Sequence, residues 1–163
     1  MITKLGSWMG YGLRPGWPLV RVIVAPSFEP KIEYEAFAAA ARQVTLGRRV
    51  VRTSASEAAR GGGALERSEV AADRLLGASE RVLVDESELA SVCASLRAAT
   101  LSAMPRRSSM GLDGTTFEVI LGDWPARAQY RWWTYVPEGW EPLGYFVREF
   151  TQLVDRSVGP HAG

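Results

Sequence analysis

An α+β fold, with a mainly antiparallel sheet flanked by helices, follows from three features of the sequence. Residues 111–156 hold two β-patterned runs followed by a strongly amphipathic helical stretch. Short β-branched runs stand at Leu19–Val24 and Arg49–Thr53, each bounded by breakers or small polar residues. Between them and the C-terminal unit, apolar residues recur at helical spacing from about Asp85 to Leu101. The chain has 163 residues, 47% hydrophobic and 23% charged. That is enough to bury one core, so residues 1–158 read as a single domain and 159–163 as a frayed tail.

Residues 1–18 contain four Gly, two Pro and two Trp and read as irregular structure. Gly6, Gly10, Gly12 and Arg14 interrupt any apolar core a signal peptide would need. Leu19–Val24 (LVRVIV) is a strand, stopped by Pro26. Residues 30–45 carry two signals. Ile32, Tyr34 and Ala36 alternate with Glu33 and Glu35 as in a half-buried strand, while Pro30 and the run Ala38–Ala41 favour a helix. The balance leans to helix. Arg49–Thr53 is the next strand, residues 54–63 a glycine-rich connection, Ala64–Leu76 a helix, and Arg81–Val84 a short strand.

Asp85, three residues ahead of Glu88, has the spacing of a capping box and opens a helix carrying Leu89, Val92, Cys93 and Leu96 on one face. Residues 105–109 form a polar loop. Thr115–Leu121 is a strand, Gly122–Ala128 a turn, and Gln129–Val136 the return strand. On that strand Tyr130, Trp132, Thr134 and Val136 share one face, and Arg131, Trp133 and Tyr135 the other. Aromatics on both faces suggest a sheet sandwiched between layers. Leu143, Phe146, Val147, Phe150, Leu153 and Val154 then give the last helix its apolar stripe.

The bulk charge excludes some classes of partner. Net charge is +1, so no global field draws in nucleic acid or an anionic membrane. No apolar stretch approaches the roughly 18 residues of a membrane-spanning helix. A cytoplasmic location is the expectation, and the one cysteine, Cys93, allows no intrachain disulfide. Two of the 19 basic residues are lysines, Lys4 and Lys31, so arginine carries nearly all the positive charge.

Catalytic machinery is sparse. The single His, His161, lies in the tail, where no rigid shell holds an imidazole for nucleophilic catalysis. One Cys and one His supply too few ligands for a transition metal, so neither metal nor cofactor is expected. Gly61–Gly63 lacks the Lys-Ser/Thr of a phosphate loop. Asp113 in GLDGT reads as a turn residue, and Asp85, Glu86 and Glu88 as a helix N-terminus. Arg48, Arg49 and Arg52 read as solvated arginines on a strand edge, and Arg106 and Arg107 as loop residues.

The order GLDGT-T-F-E, a turn, Y-R-W-W, then P-x-G-W-x-P-L and a closing helix resembles a group of small bacterial proteins. Some of these are immunity proteins of polymorphic toxin systems. The resemblance spans about residues 81–156. It implies a non-catalytic protein that binds a cognate toxin over its active site. Against a basic nuclease cleft, Asp85, Glu86, Glu88, Asp123, Glu138 and Glu141 would form the acidic contact surface. Trp124, and Trp133 with Arg131, would supply aromatic and arginine anchors. The competing expectations are a carboxylate-based enzyme, with or without a divalent cation, and a self-assembling adaptor using the Trp-rich N-terminus.

Overall fold

The computed structural model describes residue 16 and residues 18–39, 42–51, 80–103, 113–122 and 127–159. These form an α+β fold with a six-stranded, wholly antiparallel sheet and two helices. The strands are β1 (Pro18–Pro26), β2 (Lys31–Ala38), β3 (Gln43–Val51), β4 (Glu80–Asp85), β5 (Thr115–Leu121) and β6 (Ala128–Trp133). Helix α1 (Glu86–Ala98) follows β4 directly, and α2 (Glu141–Val158) closes the described chain. The sheet order is β4-β3-β2-β1-β5-β6. The first four strands run as a meander, and β5 returns to pair on the free side of β1.

The register makes one face continuous. Val20, Val22 and Val24 of β1 stand opposite Ala36, Tyr34 and Ile32 of β2. On the other side the same valines oppose Leu121, Val119 and Phe117 of β5. Leu46 and Val44 extend the face through β3, Val82 and Val84 through β4, and Trp132 and Tyr130 through β6. Leu89, Cys93 and Leu96 of α1 and the predicted stripe of α2 are buried against it. Phe146 and Phe150 stack at 5.6 Å between ring centroids in the middle of this core.

None of the described residues in 30–45 is helical. Lys31–Ala38 is β2, Gln43 opens β3, and Arg42 just ahead of it adopts φ 61°. Pairing with β1 on one side and β3 on the other satisfies the β2 backbone along its length, which outweighs the local helix propensity of the alanines. Ala36 and Ala38 are buried in this setting, beneath the helices. β3 also begins six residues before the expected Arg49. At the other end, β6 stops at Trp133 rather than Val136. Thr134 takes φ 49°, which breaks the alternation expected across 129–136.

Helix α1 starts where the capping pattern puts it. Asp85 is the N-cap, and its carboxylate accepts from the Ser87 backbone N–H at 2.8 Å. The helix ends at Ala98, three residues before the expected Leu101. Helix α2 carries Pro142 near its start, where a missing N–H is harmless. No described helix is long and apolar enough to cross a membrane. The expectations for residues 1–15 and 17, 54–63, 64–76, 105–109 and the tail from 160 lie outside the described residues.

Candidate functional site

The corner between β6 and α2 gathers the aromatic and cationic side chains that suit recognition. Trp140 precedes α2 and is buried, donating from Nε1 to the Ser102 carbonyl at 2.8 Å. Its ring meets Tyr130 edge-on at 5.4 Å and Trp132 at 6.4 Å. Trp132 stacks on Phe117 at 5.5 Å, with the planes 16° apart. These rings form a rigid floor, because each is fixed by the register of β5 and β6 and by the corner above them.

An open cleft of about 350 Å³ lies beside this floor, between the sheet and α2. Val24, Phe117, Trp132, Val136 and Val147 give it apolar walls, and Thr134, Thr151, Tyr34 and Arg148 its polar atoms. Gly144 lets the corner close onto the helix. A Cβ at that position would sit 2.5 Å from Val136 Cγ2. Around the cleft, Tyr135 is 77%, Tyr145 57% and Val136 36% exposed. Arg148 lies over the Tyr145 ring at 5.2 Å, presenting a cation and an aromatic face together. The Trp132 Nε1 is buried without a hydrogen-bond acceptor, so a molecule in the cleft meets the ring and not this N–H.

A second constellation lies toward the opposite sheet edge. Arg48 of β3 is buried beneath α2 and donates to Glu80 at 2.5 and 3.0 Å, to Asp155 at 2.7 Å and to the Gly159 carbonyl at 3.0 Å. This corrects the reading of Arg48 as a solvated edge residue. The guanidinium faces the core because Arg48 shares parity with Leu46, and carboxylates from β4 and α2 meet it there. Burial alone would lower its pKa. The hydrogen bonds to Glu80 and Asp155 outweigh that and hold it above its ordinary value. Burial, reinforced by Asp155, raises the neighbouring Tyr34 hydroxyl.

On the face away from the helices, ion pairs link β1, β2 and β3. Arg21 pairs across strands with Glu35 at 2.8 Å and Arg49 with Glu33, while Lys31 pairs with Glu33 at 2.6 Å within β2. Both glutamates are buried. Burial would raise the Glu33 carboxyl, but its bonds to Arg49 and Lys31 hold it below the usual range. The alternation at 32–36 shows these glutamates share a face. What the sequence could not show is that β1 and β3 bring arginines opposite them. Arg52, Arg106 and Arg107 lie outside the described residues.

The sequence-predicted contact residues do not converge. Asp85, Glu86 and Glu88 sit at the β4 edge, where Asp85 is the α1 cap and has its pKa lowered by the bond from Ser87. Glu138 and Glu141 sit at the β6 edge. The Glu141 carboxylate accepts from the Gly139 N–H at 2.9 and 3.1 Å, and its pKa is lowered by its own backbone N–H and that of Gly139. Five inter-strand spacings of about 4.8 Å separate the two edges. Arg131 is exposed and Trp133 half-buried on the face away from the helices. Among the described residues no helix or strand forms a second layer on that face. Asp123 and Trp124 lie outside the described residues.

Cys93 is buried on the core face of α1, and burial pushes its thiol up to about 11. Among the described residues no group of three or more His, Cys, Asp or Glu side chains is placed to hold a metal ion. Tyr145 and Arg148 were missed because they fall on the polar side of the α2 pattern. Their i, i+3 spacing is the one signal that could have paired them. Comparison with family models, curated proteins and solved structures returns no match.

Proposed function

We propose that this protein is a non-catalytic binding protein that neutralises a bacterial toxin by covering the toxin's active site. The observation that carries the reading is the β6–α2 corner. Tyr135, Val136 and Tyr145 stand exposed around a cleft floored by stacked aromatic rings, with Arg148 at its edge. Exposed tyrosine and arginine beside a preformed apolar recess is the composition of a protein-binding hot spot. The ring cluster beneath is already ordered, so little conformational freedom is lost on association.

On this reading the contact surface is the aromatic corner, with Glu138 and Glu141 on its flank, rather than the separate acidic group at Asp85. Most of these carboxylates have structural tasks. Asp85 caps α1, Glu141 accepts from the Gly139 N–H in the turn ahead of α2, and Glu33, Glu35, Glu80 and Asp155 are in ion pairs. The resemblance of residues 81–156 to immunity proteins supplies the kind of partner, and rests on its motif residues alone.

The test has two steps: a neighbouring open reading frame that ends in a toxin-like domain is expected, its absence counting against the reading, and the protein should co-purify with that product. Tyr145→Ala and Arg148→Ala should each cost about 2 kcal/mol of binding, roughly thirtyfold in Kd, if they are anchors. Full retention of affinity in both variants would remove the corner as the interface. A rise in melting temperature with a divalent cation, lost in Asp113→Asn, would instead favour the carboxylate enzyme.

A further inference from the structure

Strand β4 is an edge of the sheet, and on the face away from the helices it carries Arg81, Leu83 and Asp85. Leu83 is 57% exposed. The strand pairs with β3 without a bulge and contains no proline, so two common devices that block an edge are missing. We propose that this edge pairs with β4 of a second copy of the chain, antiparallel and two-fold symmetric about Leu83. The two sheets then join as one.

Charge selects the register. A two-fold axis at Leu83 sets Leu83 against Leu83, Arg81 against Asp85 and Asp85 against Arg81. On the other face Val82 meets Val84. Opposite charges and apolar pairs facing each other across strands are both stabilising. An axis at Val82 would instead set Arg81 against Leu83, and one at Val84 would set Asp85 against Leu83, so neither pairs opposite charges.

The partners can adjust to the pairing. The Asp85 carboxylate already accepts from Ser87, but its two oxygens have room for further donors. In the single chain Arg81 leans over the Phe37 ring at 5.8 Å, and pairing moves its guanidinium to the other copy's Asp85. The β6 edge offers no equivalent. Its sequence, AQYRWW, holds no carboxylate to meet Arg131 of another copy. Pairing β4 with β6 would be head-to-tail and would give a ring or an open filament rather than a two-fold dimer.

Leu83→Cys tests this in the full chain. Facing residues in an antiparallel pair have Cα atoms about 4.5–5.5 Å apart, within disulfide reach. Cys93, the one native cysteine, is buried. Mild oxidation should convert the variant to a covalent dimer, while Ser91→Cys on the exposed side of α1 should not crosslink. By sedimentation, the native chain should move from 17.9 kDa towards twice that mass as concentration rises. Leu83→Lys, which places two ammonium groups face to face, should hold it at the monomer mass. A native chain that stays monomeric overturns the proposal. So does crosslinking of Leu83→Cys no faster than Ser91→Cys, or a mass that climbs past the dimer.

Discussion

Replacing Arg48 by Met should cost the protein about 3 kcal/mol of stability, most of it at the end of α2. The guanidinium makes four hydrogen bonds that tie β3 to Glu80, Asp155 and the Gly159 carbonyl. Breaking a buried ion pair by removing one partner costs about 3–5 kcal/mol, because the remaining charge stays desolvated. The lower end applies here. The Asp155 and Glu80 side chains are 44% and 29% exposed, so water recovers part of their solvation. Met retains much of the aliphatic packing beneath α2. Urea denaturation should show a lower midpoint with an unchanged slope. Hydrogen exchange should show the largest loss of protection over Val154–Val158. A triple variant, Arg48→Met with Glu80→Leu and Asp155→Leu, should recover most of the loss, because no unpaired charge is left. A stability change in Arg48→Met within about 0.5 kcal/mol, the range of ordinary surface substitutions, would refute the reasoning.

Three further outcomes follow from the same geometry. The Glu33 carboxyl is held below its ordinary value of 4.5, so its contribution is present above that pH and is lost as pH falls through the lowered folded value. Melting temperature measured from neutral to strongly acidic pH should therefore fall less steeply below pH 4.5 in Glu33→Gln than in the native chain; equal slopes would contradict this. Cys93 should resist a thiol reagent in the native state and react only as fast as the protein opens, since the thiol is buried and its pKa raised to about 11. Gly144→Ala should destabilise by about 1 kcal/mol, the gain in helix propensity being smaller than the clash with Val136. In a Val136→Ala background the same change should become stabilising by a similar amount. A double-mutant cycle on thermal unfolding measures the difference, and additivity would remove Val136 as the cause.

Elements whose signals are local were legible in the sequence. Thr115–Leu121 alternates cleanly, the apolar stripe of α2 has no competing pattern, and Asp85 announces α1 through its own side chain. Residues 31–38 were harder, because small alanines satisfy both a helix and a strand buried beneath helices. Pairing with β1 and β3 decided between them, and neither partner is visible in the local pattern. Arg48 was misread for a related reason. It looks like half of an exposed Arg-Arg pair, but its parity turns it inward, and its acidic partners lie 32 and 107 residues away. The candidate site was half legible. The aromatics of 130–140 were evident, and their face assignment held through Trp133, but Thr134 then changed the direction of the chain. That change sets the corner against Gly144 and brings Tyr145 and Arg148 beside the cleft.

The central question is whether the β6–α2 corner binds a protein partner. The most direct measurement is a titration calorimetry comparison of the native chain and Tyr145→Ala/Arg148→Ala against the product of a neighbouring gene that ends in a toxin-like domain; a locus with no such gene contradicts the reading outright. A one-to-one complex that blocks the toxin's activity is expected, with binding weakened at least thirtyfold in the double variant, on the order of 2 kcal/mol or more. No heat of binding and no inhibition by the correctly folded native chain would contradict it.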